Sequence, residues 1–239
     1  MRMGTERRRL GALCAVALAL GVAAPAGAAP ADPLWEFVPS EFYVPPPSPV
    51  ADFEGPCGLA VDSAGNFYVS DYYHHFIDVF ASDRSYITQI TGVDPLDGPC
   101  GLAVDATGRL YANSFHRNVE EFLPSAFPPV PAVPFSTPAT SYASAGILDS
   151  ATPTGVAVDP ASGDVYVNAR TYIAAYDSSG DPILDGGLAL RIGEGDLRDA
   201  FGLAFSAGRL YVPDAGTNTV KVFEPAVRAQ EPVAEIDAA

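Results

Sequence analysis

The chain has 239 residues, of which 48% are apolar, and it carries 29 acidic against 13 basic side chains, a formal net charge of −16 at pH 7. A surface this acidic repels nucleic acid and anionic lipid, so the composition excludes the basic footprint of a nucleic-acid-binding protein. The length is enough for one substantial hydrophobic core, and nothing in the composition indicates two unrelated domains.

The first 28 residues have the three parts of a secretory signal peptide. Basic residues within 2–9 precede an apolar run over 10–24, and small residues at 26–28 form a cleavage site. The apolar run is shorter than the roughly 20 residues that a membrane-spanning helix needs. We therefore expect an extracytoplasmic protein, secreted or held at the cell surface, whose mature chain has no membrane span.

Residues 29–54 form a proline-rich N-terminal segment, and extended conformation is the default for such sequence. The stretch LWEFVPSEFYV at 34–44 contains several large apolar residues. We interpret this stretch as a pair of strands that completes the last structural unit of the chain.

The octapeptide GPCGLAVD occurs twice, at 55–62 and at 98–105, and it opens a unit that can be followed four times along the chain. Weaker copies begin with TPTGVAVD at 152–159 and with FGLAF at 201–205. The anchoring glycines are Gly58, Gly101, Gly155 and Gly202, at intervals of 43, 54 and 47 residues. A period in this range is typical of one propeller blade.

Each unit predicts a series of short antiparallel strands joined by turns. The first strand ends at an aspartate, which we interpret as a turn residue that accepts bonds from local backbone amides: Asp62, Asp105 and Asp159, with Ser206 in the fourth copy. The second strand is centred on a tyrosine, which we interpret as packing between units: Tyr68, Tyr111, Tyr166 and Tyr211. A third strand follows in every copy, and 85–90 and 188–192 predict a fourth strand in the first and third copies.

The stretch GLAVDSAGNFYVSDYYHHFIDVF at 58–80 resembles the NHL repeat, whose units combine a Gly-Ile/Val-Ala-Val-Asp strand, a Gly-Asn turn and an Ile-Tyr-Val-Ala-Asp strand. The resemblance covers about 55–223. The chain also resembles the secreted NHL proteins of high-GC actinobacteria. It implies an all-β fold, a β-propeller of the NHL or six-bladed TolB-like type. The four readable blades would lie near 55–97, 98–150, 151–200 and 201–239, with the Gly-anchored strand innermost.

NHL propellers generally have six blades, so the closure of a ring with four readable repeats stays open. Either 34–44 completes the last blade, or the chain is a shortened relative with an open sheet edge, through which a homodimer would form. Residues 224–239 are interpreted as an acidic tail or as the last outer strand.

Cys57 and Cys100 occupy the same position in the first two units, where neighbouring blades approach most closely. In an exported protein this position predicts a disulfide that ties blade one to blade two. The alternative is two separate buried thiols that serve as small apolar side chains.

The histidines, His74, His75 and His116, lie in the loop before the third strand, with Asp71 nearby. Zinc needs three or four converging ligands, and these residues do not show a ligand spacing. We expect no cofactor, and zinc or calcium remains the alternative.

No catalytic motif is found, so we expect a non-catalytic binding or scaffold module whose partner is an extracellular protein, peptide or glycan. Variable loops on constrained strands would carry the specificity. The ligand-face candidates are Asp71, Tyr72, Tyr73, His74, His75, Phe115, His116, Arg117, Arg170, Tyr172, Asp214 and Asn218. One alternative is a metal-dependent propeller lyase or lactonase, and another is a shortened structural module that oligomerises.

Overall fold

The computed structural model of the protein describes residues 53–91, 96–115, 117–130, 140–227 and 230–237. These residues form four antiparallel sheets of four strands and a two-stranded hairpin, and the helical part of them is a 3-10 turn at Pro225–Val227. The sheets follow one another along the chain as four blades of a β-propeller, as the repeats predict. The predicted signal peptide, the 34–44 strands and His116 lie outside the described residues.

Blades one and two share one meander topology. Blade one comprises β1 (Pro56–Val61), β2 (Phe67–Asp71), β3 (Phe76–Phe80) and β4 (Tyr86–Ile90). Blade two comprises β5 (Pro99–Val104), β6 (Leu110–Ser114), β7 (Asn118–Pro124) and β8 (Tyr142–Asp149). Neighbouring strands pair in chain order in both sheets. The strand β8 was not predicted from the sequence.

Blades three and four have the same strand order. Blade three comprises β9 (Gly155–Val158), β10 (Val165–Asn168), β11 (Ile173–Tyr176) and β14 (Arg191–Ile192), with a separate hairpin of β12 (Leu184–Asp185) and β13 (Leu188–Ala189). Blade four comprises β15 (Ala204–Ser206), β16 (Arg209–Asp214), β17 (Thr219–Phe223) and β18 (Ala234–Ile236). The outermost position of blade four is thus filled from the C-terminal end of the chain.

The outer edge of blade three differs from the single strand predicted at 188–192. Gly186 and Gly187 have φ values of 58° and 88°, which let the chain turn back so that β13 pairs with β12. Of these three short strands, only β14 pairs with β11. The Gly-Gly pair is a two-residue hairpin signal, but no hairpin was predicted here from the sequence.

The turns between the first and second strands confirm the local role of the recurring aspartates. Asp62 Oδ1 accepts the backbone N–H groups of Ala64 (2.8 Å) and Asn66 (2.9 Å), and Asp105 Oδ1 accepts those of Thr107 (2.8 Å) and Arg109 (2.9 Å). Each carboxylate therefore closes its own turn, as expected for aspartate before a glycine-containing turn.

The Gly-anchored strands β1, β5, β9 and β15 lie side by side, which confirms that they are innermost. A Cβ atom on Gly58 would lie 1.5 Å from the carbonyl oxygen of Cys100, and one on Gly155 would lie 2.7 Å from the Cα of Gly202. Both clashes are with backbone, so only glycine permits this approach.

The recurring tyrosines pack between blades. Tyr68 is buried in a cluster with side chains of blade two, and Tyr166 is buried in one with side chains of blade four. Tyr111 is likewise buried against blade three. Tyr211, the equivalent residue of blade four, is only half-buried. Among the described strands, blades one and four are the two ends of the row.

Candidate functional site

The loops between the second and third strands of the blades lie together at one end of the blades. They span 71–76, 114–118, 168–173 and 214–219. The segments that lead into the first strands lie at this same end. The N–H of Tyr72 donates to the carbonyl of Gly55 (2.8 Å), and the N–H of Phe115 donates to that of Gly98 (3.1 Å). The predicted ligand-face residues that the structure describes all fall in or beside these loops.

Asp71 is buried at the start of its loop and holds the segment that leads into blade one. Its carboxylate accepts the backbone N–H groups of Glu54 (2.8 Å) and Gly55 (3.1 Å), and that of His74 (3.2 Å). Burial acts to raise the pKa of Asp71, but these bonds and the His74 ring outweigh it, and the pKa is lowered. Asp71 therefore has a structural role in this loop.

Asp214 has the equivalent role in blade four. Its carboxylate accepts the backbone N–H groups of Arg198 (3.1 Å), Asp199 (2.8 Å) and Gly216 (3.0 Å). Burial opposes the effect of these bonds, which nonetheless lower the pKa of Asp214. In blades one and four, a buried aspartate thus fixes the loop to the leading segment of its blade.

The histidines of the first loop face different groups. His74 lies between two carboxylates, with Nδ1 3.0 Å from Asp71 Oδ2 and Nε2 3.1 Å from Glu54 Oε2, and it stacks on Phe76. His75 Nδ1 accepts the N–H of Gly98 (3.0 Å) and so connects the loop to blade two. Among the described residues, no group of three or more His, Cys, Asp or Glu side chains could hold a metal ion.

The two tyrosines of the first loop are in edge-to-face contact, with ring centroids 5.1 Å apart. Tyr72 lies against Gly98, where a Cβ atom would come within 2.5 Å of its ring. Tyr73 is 62% exposed. Tyr72 therefore packs between blades, whereas Tyr73 presents an aromatic ring to solvent.

The arginines at this end pair with carboxylates of neighbouring segments. Arg117 Nη1 lies 3.3 Å from Asp97 Oδ2. Arg170 donates to Asp199 from Nε (3.0 Å), and its guanidinium lies 5.3 Å from the centre of the Phe201 ring. More than two-fifths of each arginine side chain remains exposed, so each pair leaves donor groups accessible.

Tyr172 lines a cavity of about 340 Å³ between the outer parts of blades two and three. Asp149, Tyr176 and Arg191 also line it. The guanidinium of Arg191 lies over the Tyr172 ring at 4.4 Å, and the Tyr176 hydroxyl donates to Asp149 Oδ2 (2.5 Å). The sequence places Tyr172 on the loop but does not predict the cavity, because the walls at 148–151 and 189–191 lie in segments that the repeat does not define.

The disulfide between Cys57 and Cys100 is present, with the two Cα atoms 4.8 Å apart. It joins β1 to β5 beside the loop end, as the equivalent positions in the repeats predict. The leading segments of blades one and two are therefore covalently fixed to each other.

A series of side-chain hydrogen bonds also links successive blades, and sequence reasoning missed it. The donors lie at one register of the second strand, where Ser70 Oγ, Asn113 Nδ2 and Asn168 Nδ2 donate to carbonyls of the next blade: Cys100 (3.3 Å), Pro153 (2.9 Å) and Gly202 (3.0 Å). Blade four has Pro213 at this register. The signal was a polar residue two positions after each recurring tyrosine in the first three copies.

Comparisons with known proteins agree with the fold. Residues 53–80 match the NHL repeat. No curated protein matches the chain in sequence. Similar solved structures include Kuenenia stuttgartiensis hydrazine synthase (15% identity, TM-score 0.52, 81% of this chain and 52% of that one). They also include virginiamycin B lyase from Staphylococcus aureus (10%, 0.50, 75% and 54%) and Myxococcus xanthus glutaminyl cyclase (18%, 0.50, 77% and 70%).

The chain spans about half the length of the hydrazine synthase and virginiamycin B lyase chains. At identities this low, the likeness shows the fold alone. The activities of these enzymes depend on site residues that a shared fold does not carry over.

Proposed function

We propose that this NHL-repeat chain, with four blades in a β-propeller ring, is an exported, non-catalytic module that binds a protein, peptide or glycan outside the cytoplasm. The observation that carries the proposal is the arrangement at the loop end. There the backbone is fixed by buried aspartates, a disulfide and inter-blade hydrogen bonds, while several side chains of the loops point into solvent.

The exposed side chains are suited to recognition. Tyr73 offers an aromatic ring, and Arg117 and Arg170 offer guanidinium donors. The side chains of His75 and Asn218 are also exposed. Aromatic and arginine side chains on a preformed backbone are the groups that dominate binding surfaces. Because the scaffold is fixed, binding would cost little ordering of the loops.

Export is supported by the pattern of residues 1–28 and by the disulfide, since disulfides persist mainly in oxidising compartments. Expression in a bacterial host with a secretion pathway tests it. We expect the exported chain to begin at Ala29 and to have a mass two hydrogens below that of the reduced chain. A chain that keeps residues 1–28 and stays in the cytoplasm would contradict export.

Binding is tested with immobilised libraries of bacterial cell-wall glycans, muropeptides and random peptides. The triple variant Tyr73→Ala, Arg117→Ala, Asn218→Ala should lose the binding that the unchanged chain shows. Ser63→Ala combined with Ser179→Ala changes exposed side chains at turns outside these loops and serves as the matched control. Equal loss in both variants, or no loss in the triple variant, would place binding away from this face.

A metal-dependent lyase or lactonase is the competing function. Native mass spectrometry of the exported chain distinguishes the two, because a metalloenzyme of this kind holds metal in a defined ratio. One tightly bound zinc or calcium ion per chain, lost in His74→Ala, would favour the enzyme. A metal-free chain that retains glycan or peptide binding would favour the binding module.

A further inference from the structure

The cavity of about 340 Å³ between the outer parts of blades two and three has the features of a small-molecule site. Its volume lies within the range of roughly 300 to 1,000 Å³ that is usual for such sites. Small and aliphatic side chains form much of its wall, among them Ala174, Ala175, Ala189 and Leu190. Polar side chains interrupt this wall at a few points, which is the pattern of a site that orients what it binds.

Asp149, at the end of β8, is the buried polar group of the cavity. It is 6% exposed, and its carboxylate accepts the N–H of Ala151 (2.6 Å) at Oδ1 and the hydroxyl of Tyr176 (2.5 Å) at Oδ2. Burial and the bond to this carboxylate raise the pKa of Tyr176, so its hydroxyl stays protonated and keeps Asp149 oriented. A carboxylate has about four acceptor positions, so Asp149 can accept further hydrogen bonds from a ligand.

Arg191, in β14 of blade three, supplies hydrogen-bond donors to the cavity. Its guanidinium lies over the ring of Tyr172 at 4.4 Å, and its Nη1 lies 2.9 Å from Glu194 Oε1. The Arg191 side chain is 49% exposed, and a guanidinium has five N–H donors. Stacking on Tyr172 restricts the guanidinium, so its remaining donors are held beside the cavity.

The charges of the lining favour a neutral ligand. Asp149 and Arg191 are the charged side chains among the described residues that line this cavity, and their charges cancel. Glu194, the ion-pair partner of Arg191, lines a neighbouring cavity of about 440 Å³ and not this one. Arg191 would repel a cationic ligand, and Asp149 and the net charge of −16 would repel an anionic one. A neutral ligand with both donors and acceptors can bond to both side chains without meeting a like charge.

An added peptide strand is disfavoured because the strand edges at the cavity are paired or bulged. The carbonyl of Ala175 accepts the N–H of Ile183 (2.9 Å), and the N–H of Leu190 donates to the carbonyl of Ile183 (2.8 Å). The end of β8 is bulged between Ile147 and Asp149. Bulges interrupt the regular row of backbone groups that an additional strand needs. Recognition in this cavity therefore depends on side chains.

We propose that this cavity binds a neutral saccharide unit. Neighbouring hydroxyl groups of a sugar both donate and accept, so they can donate to Asp149 and accept from Arg191 at the same time. The apolar C–H face of the ring would pack against the alanine wall. The proposal does not depend on the binding proposed for the loop end, because it uses none of the residues Tyr73, Arg117 and Asn218.

Saturation-transfer NMR with simple glycosides tests the ligand class. The probes are the neutral methyl glycosides of glucose, galactose, mannose and N-acetylglucosamine, at pH 6 and at concentrations up to about 10 mM. At least one should bind. Its amino-sugar and uronic-acid analogues, which are charged at pH 6, should bind about tenfold more weakly. Absence of binding by all four probes, or equal or tighter binding of either charged analogue, would overturn the proposal.

Two variants assign the binding to the cavity. Arg191→Gln should weaken it about tenfold, because the charge-assisted donors are lost. Arg209→Gln is the matched control and should leave the affinity unchanged, since Arg209 is also half exposed and pairs with Glu224 at 2.8 Å. Ala189→Tyr fills the cavity from an exposed position and should abolish binding. Ala161→Tyr, in an exposed turn of the same blade, should not.

Circular dichroism checks that these variants are folded. Equal affinity of Arg191→Gln and Arg209→Gln, or binding that survives Ala189→Tyr in a folded chain, would overturn the proposed site. The triple variant Tyr73→Ala, Arg117→Ala, Asn218→Ala should keep the saccharide binding. Loss of saccharide binding in that variant would place the sugar at the loop end and overturn the cavity site, whereas loss of library binding alone concerns the loop end.

Discussion

Asp78 is a buried carboxyl group in the middle of blade one, opposite Val69 and Gln89 in the sheet. Burial raises its pKa to about 6, and the charge of Asp71 adds to this effect. A hydrogen bond from Gln89 Nε2 to Asp78 Oδ1 (3.1 Å) and the nearby His74 act in the opposite direction. The result is a carboxyl group that ionises in the folded chain only at a pH well above that of the unfolded chain.

We expect Asp78→Asn to stabilise the protein at neutral pH. The folded-state pKa lies above the unfolded value of 3.8, so the folded chain holds an additional proton between pH 4 and 6. The stability that Asp78 contributes is therefore complete below about pH 4 and is lost as pH rises through 6. Asn cannot ionise, so the variant should gain about 1 to 3 kcal/mol relative to the unchanged chain at pH 8 and little at pH 4.

Urea unfolding at pH 4 and pH 8 measures this difference. Asp181→Asn changes an exposed aspartate and serves as the control. Asp71 and Asp214, whose lowered pKa values make their contribution disappear as pH falls, affect all the variants alike. A difference between Asp78→Asn and the unchanged chain that does not vary with pH would contradict the raised pKa of Asp78.

Asp71→Ala should destabilise blade one locally as well as globally. The substitution leaves the N–H groups of Glu54, Gly55 and His74 without their acceptor, and each unsatisfied buried group costs about 1 to 3 kcal/mol. Water can reach some of these groups, so we expect a total loss of about 2 to 4 kcal/mol. Hydrogen exchange should become faster at Glu54 and Gly55.

Asp83→Ala is the matched control for this prediction. Asp83 also accepts hydrogen bonds, from the N–H and hydroxyl of Ser85, but it lies in an exposed turn. We expect it to change stability by less than about 0.5 kcal/mol. Equal effects of the two variants would show that the buried position of Asp71 does not matter.

Among the elements of the fold, the recurring strands and β4 could be predicted, whereas β8 and the hairpin of β12 and β13 could not. The repeat defines the first three strands of each blade, because the same apolar and glycine positions return in every copy. The strand β8 follows a long proline-rich connector and has no repeated counterpart. The hairpin of β12 and β13 depends on a Gly-Gly turn that lies outside the repeat.

The candidate site shows the same limit. The loops before the third strands could be placed from the repeat, and the pairing of Cys57 with Cys100 followed from their equivalent positions. The sequence does not predict which loop side chains are buried. Asp71 is buried because Glu54 and Gly55 lie against it, and that contact depends on the path of the chain before the first strand.

The disulfide between β1 and β5 should contribute strongly to stability. It closes a loop across a sequence separation of 43 residues. In the chain-entropy description, removing the bond gives the unfolded chain freedom worth about 4 kcal/mol, and measured losses commonly fall between about 2 and 5 kcal/mol. We expect the double variant Cys57→Ser, Cys100→Ser to lose an amount in this range.

Urea unfolding with and without dithiothreitol provides the measurement and its control together. Reductant should lower the midpoint of the unchanged chain to near that of the double variant and should leave the double variant unaffected. A double variant as stable as the oxidised chain would mean that non-covalent contacts alone fix β1 beside β5.

At the scale of the whole molecule, stability depends on neighbouring blades. Three buried layers join blade one to two, two to three and three to four, and the inner strands approach closely enough to require glycine. The two end blades each have one neighbour among the described blades. As a consequence, Leu59 and Val61 are exposed at one end, and Tyr211 is only half-buried at the other.

The excess of acidic residues leads to a prediction for the whole chain. With 29 acidic and 13 basic side chains, the folded protein brings like charges closer together than the unfolded chain does. Salt screens this repulsion, since the Debye length falls from about 30 Å at 0.01 M to about 10 Å at 0.1 M. We therefore expect the urea midpoint at pH 8 to rise as sodium chloride increases from 0.01 to 0.3 M.

The isoelectric pH provides the control. Near pH 4.3, where the net charge of the chain is about zero, the same increase in salt should change the midpoint little. Ion pairs such as Arg117–Asp97 and Arg209–Glu224 are weakened by salt and oppose the predicted trend. They are exposed and each contributes little, so repulsion among the unpaired carboxylates should dominate. A midpoint that falls with salt at pH 8 would show instead that the paired charges, and not the net charge, set the electrostatic stability of the protein.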